Sequence, residues 1–204
     1  MDTQIANLLE IAPYDVPTGA KLEAHVTSQL SQKTYDFAAN KALLKNYQIN
    51  SVNLKIEFVS NVLILSLMRL PSTDFLALTY LIPTSVVQHE SIVRIKKCAD
   101  ALERGKFHQF WEEYVGSQAL FSQANGFVDF IRVFILSNLR DTFKTLPKNL
   151  FQQQLGLNDS SVVSFCESNK LVEKIAGEDI VFASNDENQN KSHQFDENVR
   201  IEEV

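Results

Sequence analysis

Leu102-Glu103-Arg104-Gly105-Lys106-Phe107-His108-Gln109-Phe110-Trp111-Glu112-Glu113-Tyr114 reads as the tight corner of a helical hairpin. Upstream, Ile92, Ile95, Ala99 and Leu102 recur at helical spacing, and the pattern stops at Gly105. Glycine just past a helix suits the left-handed C′ position, because it carries no Cβ to clash there. Downstream, Phe107, Phe110, Trp111 and Tyr114 share one face of the next helix. So short a connection makes the two helices antiparallel neighbours. Leu102, Gly105, Phe107, Phe110 and Trp111 are therefore candidate core and corner residues, not a ligand pocket. A hairpin of this kind cannot bury its apolar face alone, so the flanking chain must cover it.

Helical patterns fill that flank. Ile5, Leu8 and Leu9 open the chain before Pro13, Pro17 and Gly19. Lys21 to Lys33 carries Leu22, Val26 and Leu30, and Tyr35 to Tyr47 carries Ala39, Leu43 and Tyr47. Val52 to Arg69 is apolar almost all round, which marks a central, buried helix. Leu70-Pro71 stops it, and a short helix with Phe75, Leu78 and Tyr80 follows. After the hairpin, Asn125-Gly126 introduces a helix whose core candidates are Phe127, Phe130 and Phe134. No clean repeat period links these units. Residues 1–145 are expected to form an irregular helical-repeat domain of the HEAT/TPR kind.

From Pro147 the texture changes. Two short helices, Asn149 to Leu155 and one capped at Asn158 or Asp159, precede two strand candidates around Gly177-Glu178-Asp179. Helix, helix, strand, turn, strand is the order of a winged-helix module, expected over 146–183. Residues 184–204 are expected to be an acidic, disordered tail: over 185–204 six acids face two basic residues. Phe195, Val199 and Ile201 are its apolar exceptions.

The chemistry the sequence offers is limited. It has no HExxH, paired CxxC, GxGxxG, P-loop or GxSxG pattern. His25, His89, His108 and His193 form no ligand spacing with each other or with Cys98 and Cys166. The expectation is a non-enzyme with no cofactor and no metal. Both cysteines are expected to be reduced and buried. The most apolar window, Phe58 to Met68, is too short to span a bilayer, and no secretory pattern opens the chain. An intracellular protein is expected.

A winged helix invites a DNA-binding reading, and charge opposes it. The formal net charge of the chain is −6. Residues 148–184 hold three lysines against five acids. The would-be recognition helix, from Asp159, has one terminal lysine, and such a surface repels phosphate. The module suits protein–protein contact instead, with Leu171, Val172, Ile175, Ile180, Val181 and Phe182 as candidate interface residues along an exposed strand edge.

Several motifs occur together and in order: Tyr35-Asp36-Phe37-Ala38-Ala39-Asn40, Leu70-Pro71-Ser72-Thr73-Asp74-Phe75, Phe107-His108-Gln109-Phe110-Trp111, and Gly126-Phe127-Val128-Asp129-Phe130-Ile131-Arg132. With them the sequence resembles the PCI-type subunits of the proteasome lid, the signalosome and translation initiation factor 3, and most of all the subunit K family of the last. The resemblance spans roughly residues 5 to 183. It departs at Ser168 to Leu171, where the family's glycine–tryptophan pair is missing. The resemblance implies a PCI-like, mainly α fold and a cytoplasmic, non-catalytic subunit. It also implies pairing with subunit L and other subunits, and contact with the small ribosomal subunit through the complex. A scaffold subunit of the signalosome or the lid is the alternative.

Overall fold

A computed structural model describes residues 3–12, 14–168 and 171–189. Ten α-helices and three strands run in the order α1 (Thr3–Ile11), α2 (Val16–Gln32), α3 (Phe37–Ile49), α4 (Ile56–Leu67), α5 (Asp74–Thr79), α6 (Glu90–Glu103), α7 (Phe107–Phe121), α8 (Phe127–Thr142), β1 (Thr145–Pro147), α9 (Lys148–Leu155), α10 (Asp159–Ser168), β2 (Val172–Ala176) and β3 (Asp179–Phe182). The fold is mainly helical, a PCI-like run of helices that ends in a winged helix.

α1, α3 and α5 follow one another along one side of the repeat, and α2, α4 and α6 along the other. α4 is the axis: every residue from Val59 to Leu67 is buried. It begins later than its apolar pattern suggests. Ser51–Asn53 forms a single 3-10 turn instead, with Val52 exposed, because serine and asparagine side chains compete for the backbone bonds a helix would use.

Two polar networks fix how α2 meets α3. Gln29 and Asn40, both buried, exchange amide hydrogen bonds at 3.0 and 3.1 Å. The Gln29 carbonyl oxygen also accepts from the Asp36 N–H, at the start of α3. The Tyr47 hydroxyl donates to Glu23 Oε1 at 2.7 Å, and Lys55 Nζ donates to Glu23 Oε2 at 2.6 Å. A buried polar group costs stability unless it is bonded, so these pairs select one register between the helices.

The hairpin forms as its corner requires. Gly105 takes φ 68°, and the Lys106 and Gly105 N–H groups donate back to Ala101 and Leu102 in a Schellman turn. α6 packs on α7 along its length. α7 then bends at Ser117, whose φ is −133°. Arg94 Nη1 donates to the Gly116 carbonyl that the bend frees, and the Ser117 hydroxyl donates to the Glu113 carbonyl. Phe107, Phe110 and Phe127 are fully in the core. Phe130, Phe134 and Trp111 are half-buried and pack against that core from its margin.

The three-stranded sheet has the order β1-β3-β2, all antiparallel. β1 does not stand out in the sequence, because three residues ending in proline show no alternation. It pairs Leu146 with Ile180, and so ties the end of the repeat to the wing. After β3, residues 184–189 turn back onto the end of α8. There the Asn188 side chain donates to the Arg140 carbonyl at 3.0 Å and that of Asn185 to Asp141 Oδ1 at 3.3 Å. Phe195, Val199 and Ile201 lie outside the described residues.

Candidate partner interface

The winged-helix module is held to the repeat at the C-terminus of α9. The last carbonyls of a helix have no partner within it, and here three of them are taken up from outside. Trp111 Nε1 donates to the Gln154 carbonyl at 2.8 Å. Arg132 Nε donates to Leu155 at 3.2 Å and Nη2 to Gly156 at 3.0 Å. The Arg132 guanidinium also stands 5.5 Å from the centre of the Trp111 ring. A cation at a helix C-terminus is favoured by the helix dipole as well. Trp111 therefore works as a clamp on the module, which explains its half-exposed position.

Within the module, Phe151 and Phe182 meet with ring centres 6.2 Å apart, over Leu155, Val162 and Ile180, all buried. Lys148 Nζ lies 2.7 Å from Asp159 Oδ1 and links the starts of α9 and α10. The hydrogen bond from the Lys148 ammonium holds the Asp159 carboxyl below its usual range, and the same bond raises Lys148.

The six expected interface residues separate into two groups. Ile180 and Phe182 are buried, and β3 is the central strand, with β1 on one side and β2 on the other. Neither their side chains nor a free backbone edge is open to a partner. A hairpin read from sequence leaves β3 at an edge; β1 takes that place. Leu171, Val172 and Val181 are half-buried, and Ile175 is exposed. The open edge beside them is β2, where the register shifts between Val172 and Lys174, leaving Glu173 as a bulge. The other edge, β1, ends in Pro147. Bulges, proline and lysine all blunt a strand edge, so long strand addition is disfavoured on both sides.

Val163 of α10 and Ile175 of the wing are exposed apolar side chains of the module. A groove of about 370 Å³ runs under the junction, lined by Gly105, Phe107, Leu139, Phe143, Leu146 and Leu150. Phe143 and Leu150 are exposed at it. α10 carries no lysine or arginine, and Asp159 and Glu167 are its charges.

The histidines and cysteines stay apart in role. His89 caps α6 through Nδ1, accepting from the Ser91 N–H at 3.4 Å. His25 Nε2 lies 3.5 Å from Asp36 Oδ2, and His108 Nε2 lies 3.4 Å from Glu112 on an exposed turn. His193 is outside the described residues. Burial pushes the Cys98 thiol up to about 11, with Glu113 adding to it. Burial and Glu167 raise Cys166. Both shifts oppose a thiolate nucleophile. Among the described residues no group of His, Cys, Asp and Glu is arranged to hold a metal ion. None of the described helices is long and apolar enough to cross a membrane.

Known proteins resemble this chain in sequence. A profile of the CSN8/PSMD8/EIF3K family matches residues 53–193. The eukaryotic translation initiation factor 3 subunit K of Drosophila persimilis is 34% identical over 184 residues, 90% of this chain and 82% of that protein. The protein of the same name from Dictyostelium discoideum is 30% identical over 190 residues, 93% of this chain and 77% of its own. That of Drosophila mojavensis is 33% identical over 184 residues. With the helical repeat, the winged helix and these matches in agreement, the chain belongs to the CSN8/PSMD8/EIF3K family.

Proposed function

We propose that this protein is a cytoplasmic, non-catalytic scaffold subunit of translation initiation factor 3, acting in assembly of the initiation complex on the small ribosomal subunit through protein–protein contacts. The observation that carries the reading is identity of 30–34% to subunit K relatives over about nine-tenths of the chain. The acid-bearing, lysine-free α10 supports it, because a winged helix of that charge has a protein as its natural partner. Subunit L is the partner we assign to the module, at the outer face of α10 and the wing around Leu171, Val172, Ile175 and Val181. Ribosome contact then comes through the complex.

The test is a pull-down of tagged protein from native extract, with the co-purifying chains identified by mass spectrometry. Recovery of subunit L with other initiation factor 3 subunits supports the proposal. Recovery of signalosome or proteasome-lid subunits would transfer the same architecture to a sister complex, a reading the breadth of the family keeps in view. Recovery of no stable partner would overturn the scaffold role.

A further inference from the structure

The groove under the repeat–wing junction is apolar along its length. Leu139 and Phe143 at the end of α8, Leu146 of β1 and Leu150 in the first turn of α9 form its walls. Its polar groups are the neutral side chains of Asn138, Thr142 and Gln154, and no charged residue lines it. Phe143 and Leu150 are each 41% exposed there. A lining without charge selects its occupant by apolar contact and shape, and gives a phosphate backbone nothing to bind.

The chain itself passes along one wall of this groove. The Phe182 N–H of β3 donates to the Lys144 carbonyl at 3.0 Å. A few residues on, Asn185 and Asn188 are bonded to Asp141 and to the Arg140 carbonyl. Thr142 and Phe143, two residues of the groove, therefore lie between the two points at which the chain is fastened. The fastening is a closed turn. The N–H groups of Glu187 and Asn188 both donate to Asn185 Oδ1 at 2.8 Å, and the Asn185 N–H donates to Asn188 Oδ1 at 2.9 Å. Asn188 Nδ2 also donates to the Ala183 carbonyl at 3.0 Å. Chain ends fray unless something ties them down, and this turn ties the chain to α8 at the rim of the groove.

Beyond the turn, Phe195, Val199, Ile201 and Val204 are the large apolar residues of a segment otherwise made of acids, amides and other polar side chains. Phe195 is six residues past Gln189, a span of up to about 20 Å when extended. From Arg140, where the chain is fastened, to Thr142 of the groove is only about 3 Å along the helix axis. We infer that the C-terminal segment 195–201 of this same chain is the occupant of the groove, with Phe195 and Val199 as its anchors. The tether selects it over a separate protein. A short linker holds its segment at roughly millimolar effective concentration, which any free competitor has to overcome. The segment is then a strap across α8, β1 and the first turn of α9. Trp111 and Arg132 already hold the other end of α9, so the strap fixes the module to the repeat at a second point. This goes beyond the scaffold reading and does not depend on which complex receives the chain.

The experiment places a photo-reactive benzophenone side chain at position 195, or separately at position 150, in tagged full-length protein. Each protein is irradiated in purified form at two concentrations, and again in the complex assembled in cells, and the linked peptides are mapped. Links from 195 to residues 138–154, and from 150 to residues 190–204, in equal yield at both concentrations, support the inference. An F143S variant should lower the link from 195 at least tenfold, while V163D, outside the groove lining, should leave it unchanged. Should F143S lower the melting temperature, L150S at the other exposed wall takes its place. A link that survives the groove variant overturns the inference. So do links from 195 to other parts of the chain, links whose yield rises with concentration and so come from a second copy, or no link at all. Capture of another subunit alone from position 150 overturns it as well, and gives the groove to that partner.

Discussion

The α-carbon of Gly156 rests against the indole of Trp111, so closely that a methyl group there would stand 2.7 Å from ring atom Cδ2 and 2.9 Å from Cε2. Gly156 also has φ +58°, the left-handed conformation that ends α9. Gly105 shares that conformation at φ +68°, but a methyl group there meets nothing within 4 Å. The two glycines separate a backbone cost from a packing cost. Gly105→Ala should destabilise by about 1 kcal/mol, from the left-handed strain alone. Gly156→Ala should cost about 3 kcal/mol, because the clash adds to that strain. Equal shifts in urea midpoint would mean that the indole swings aside freely.

Arg132 joins two modules, so its loss should be felt mainly in one of them. Arg132→Ala frees the Leu155 and Gly156 carbonyls and removes the cation from the Trp111 ring. The expected cost is about 2 kcal/mol. Arg132→Lys should not restore it, since an ammonium cannot reproduce the planar fork. Hydrogen exchange checks this: amides of α9, α10 and the sheet should exchange faster, while those of α4 keep their protection.

The Gln29–Asn40 pair should show strong coupling. Asn40→Ala leaves the Gln29 amide buried with one side unbonded, at an expected cost of about 2 kcal/mol. Replacing both with apolar residues removes the unmet group as well as the bond. The double variant should therefore be less destabilised than the sum of the two single ones. Simple additivity in thermal unfolding would show that the two amides act independently.

Cys98 should resist thiol reagents. With its thiol raised to about 11 and no exposed surface, it stays protonated and covered at pH 8. Cys166 is raised and buried as well. Native protein should react slowly at both, and unfolded protein should react at two thiols per chain. Fast native labelling of one thiol at pH 8 would contradict the burial.

The Lys148–Asp159 pair gives a signed pH dependence. The folded carboxyl is lowered, so its contribution is present above the unfolded pKa and is lost as pH falls through the folded one. The folded lysine is raised, so its share is present below the unfolded pKa and is lost as pH rises through the folded one. Asp159→Asn should lower the melting temperature slightly near neutral pH and leave it unchanged at pH 2, and added salt should shrink the difference. A difference that persists at pH 2 would show that the effect does not come from the charge of Asp159.

The sequence was clearest where a pattern repeats or a single residue permits one geometry. The apolar run of α4 and the stop at Gly105 placed the buried axis and the hairpin corner directly. It was silent where a residue's role depends on a partner far along the chain. Gln29 and Asn40 look like surface amides until α2 and α3 are brought together. Trp111 looks like core because its spacing fits the aromatic face, yet its indole N–H is needed 43 residues later. Thr145-Leu146-Pro147 carries no strand signal of its own, yet its pairing makes β3 the central strand and takes up the edge on which Ile180 and Phe182 were expected to meet a partner.

The capping of α9 from the repeat also sets an order of construction. α9 has eight residues, too few for a helix to persist by itself in water. The Gln152 carbonyl is taken up by the Gly156 and Leu157 N–H groups, but those of Gln154, Leu155 and Gly156 accept from Trp111 and Arg132, which leave the synthesis machinery before any part of α9 does. The hairpin and α8 are thus a template that is ready when the module arrives, and the wing is the last piece to set. A chain cut short after α8 would keep its mould and lack only the cast.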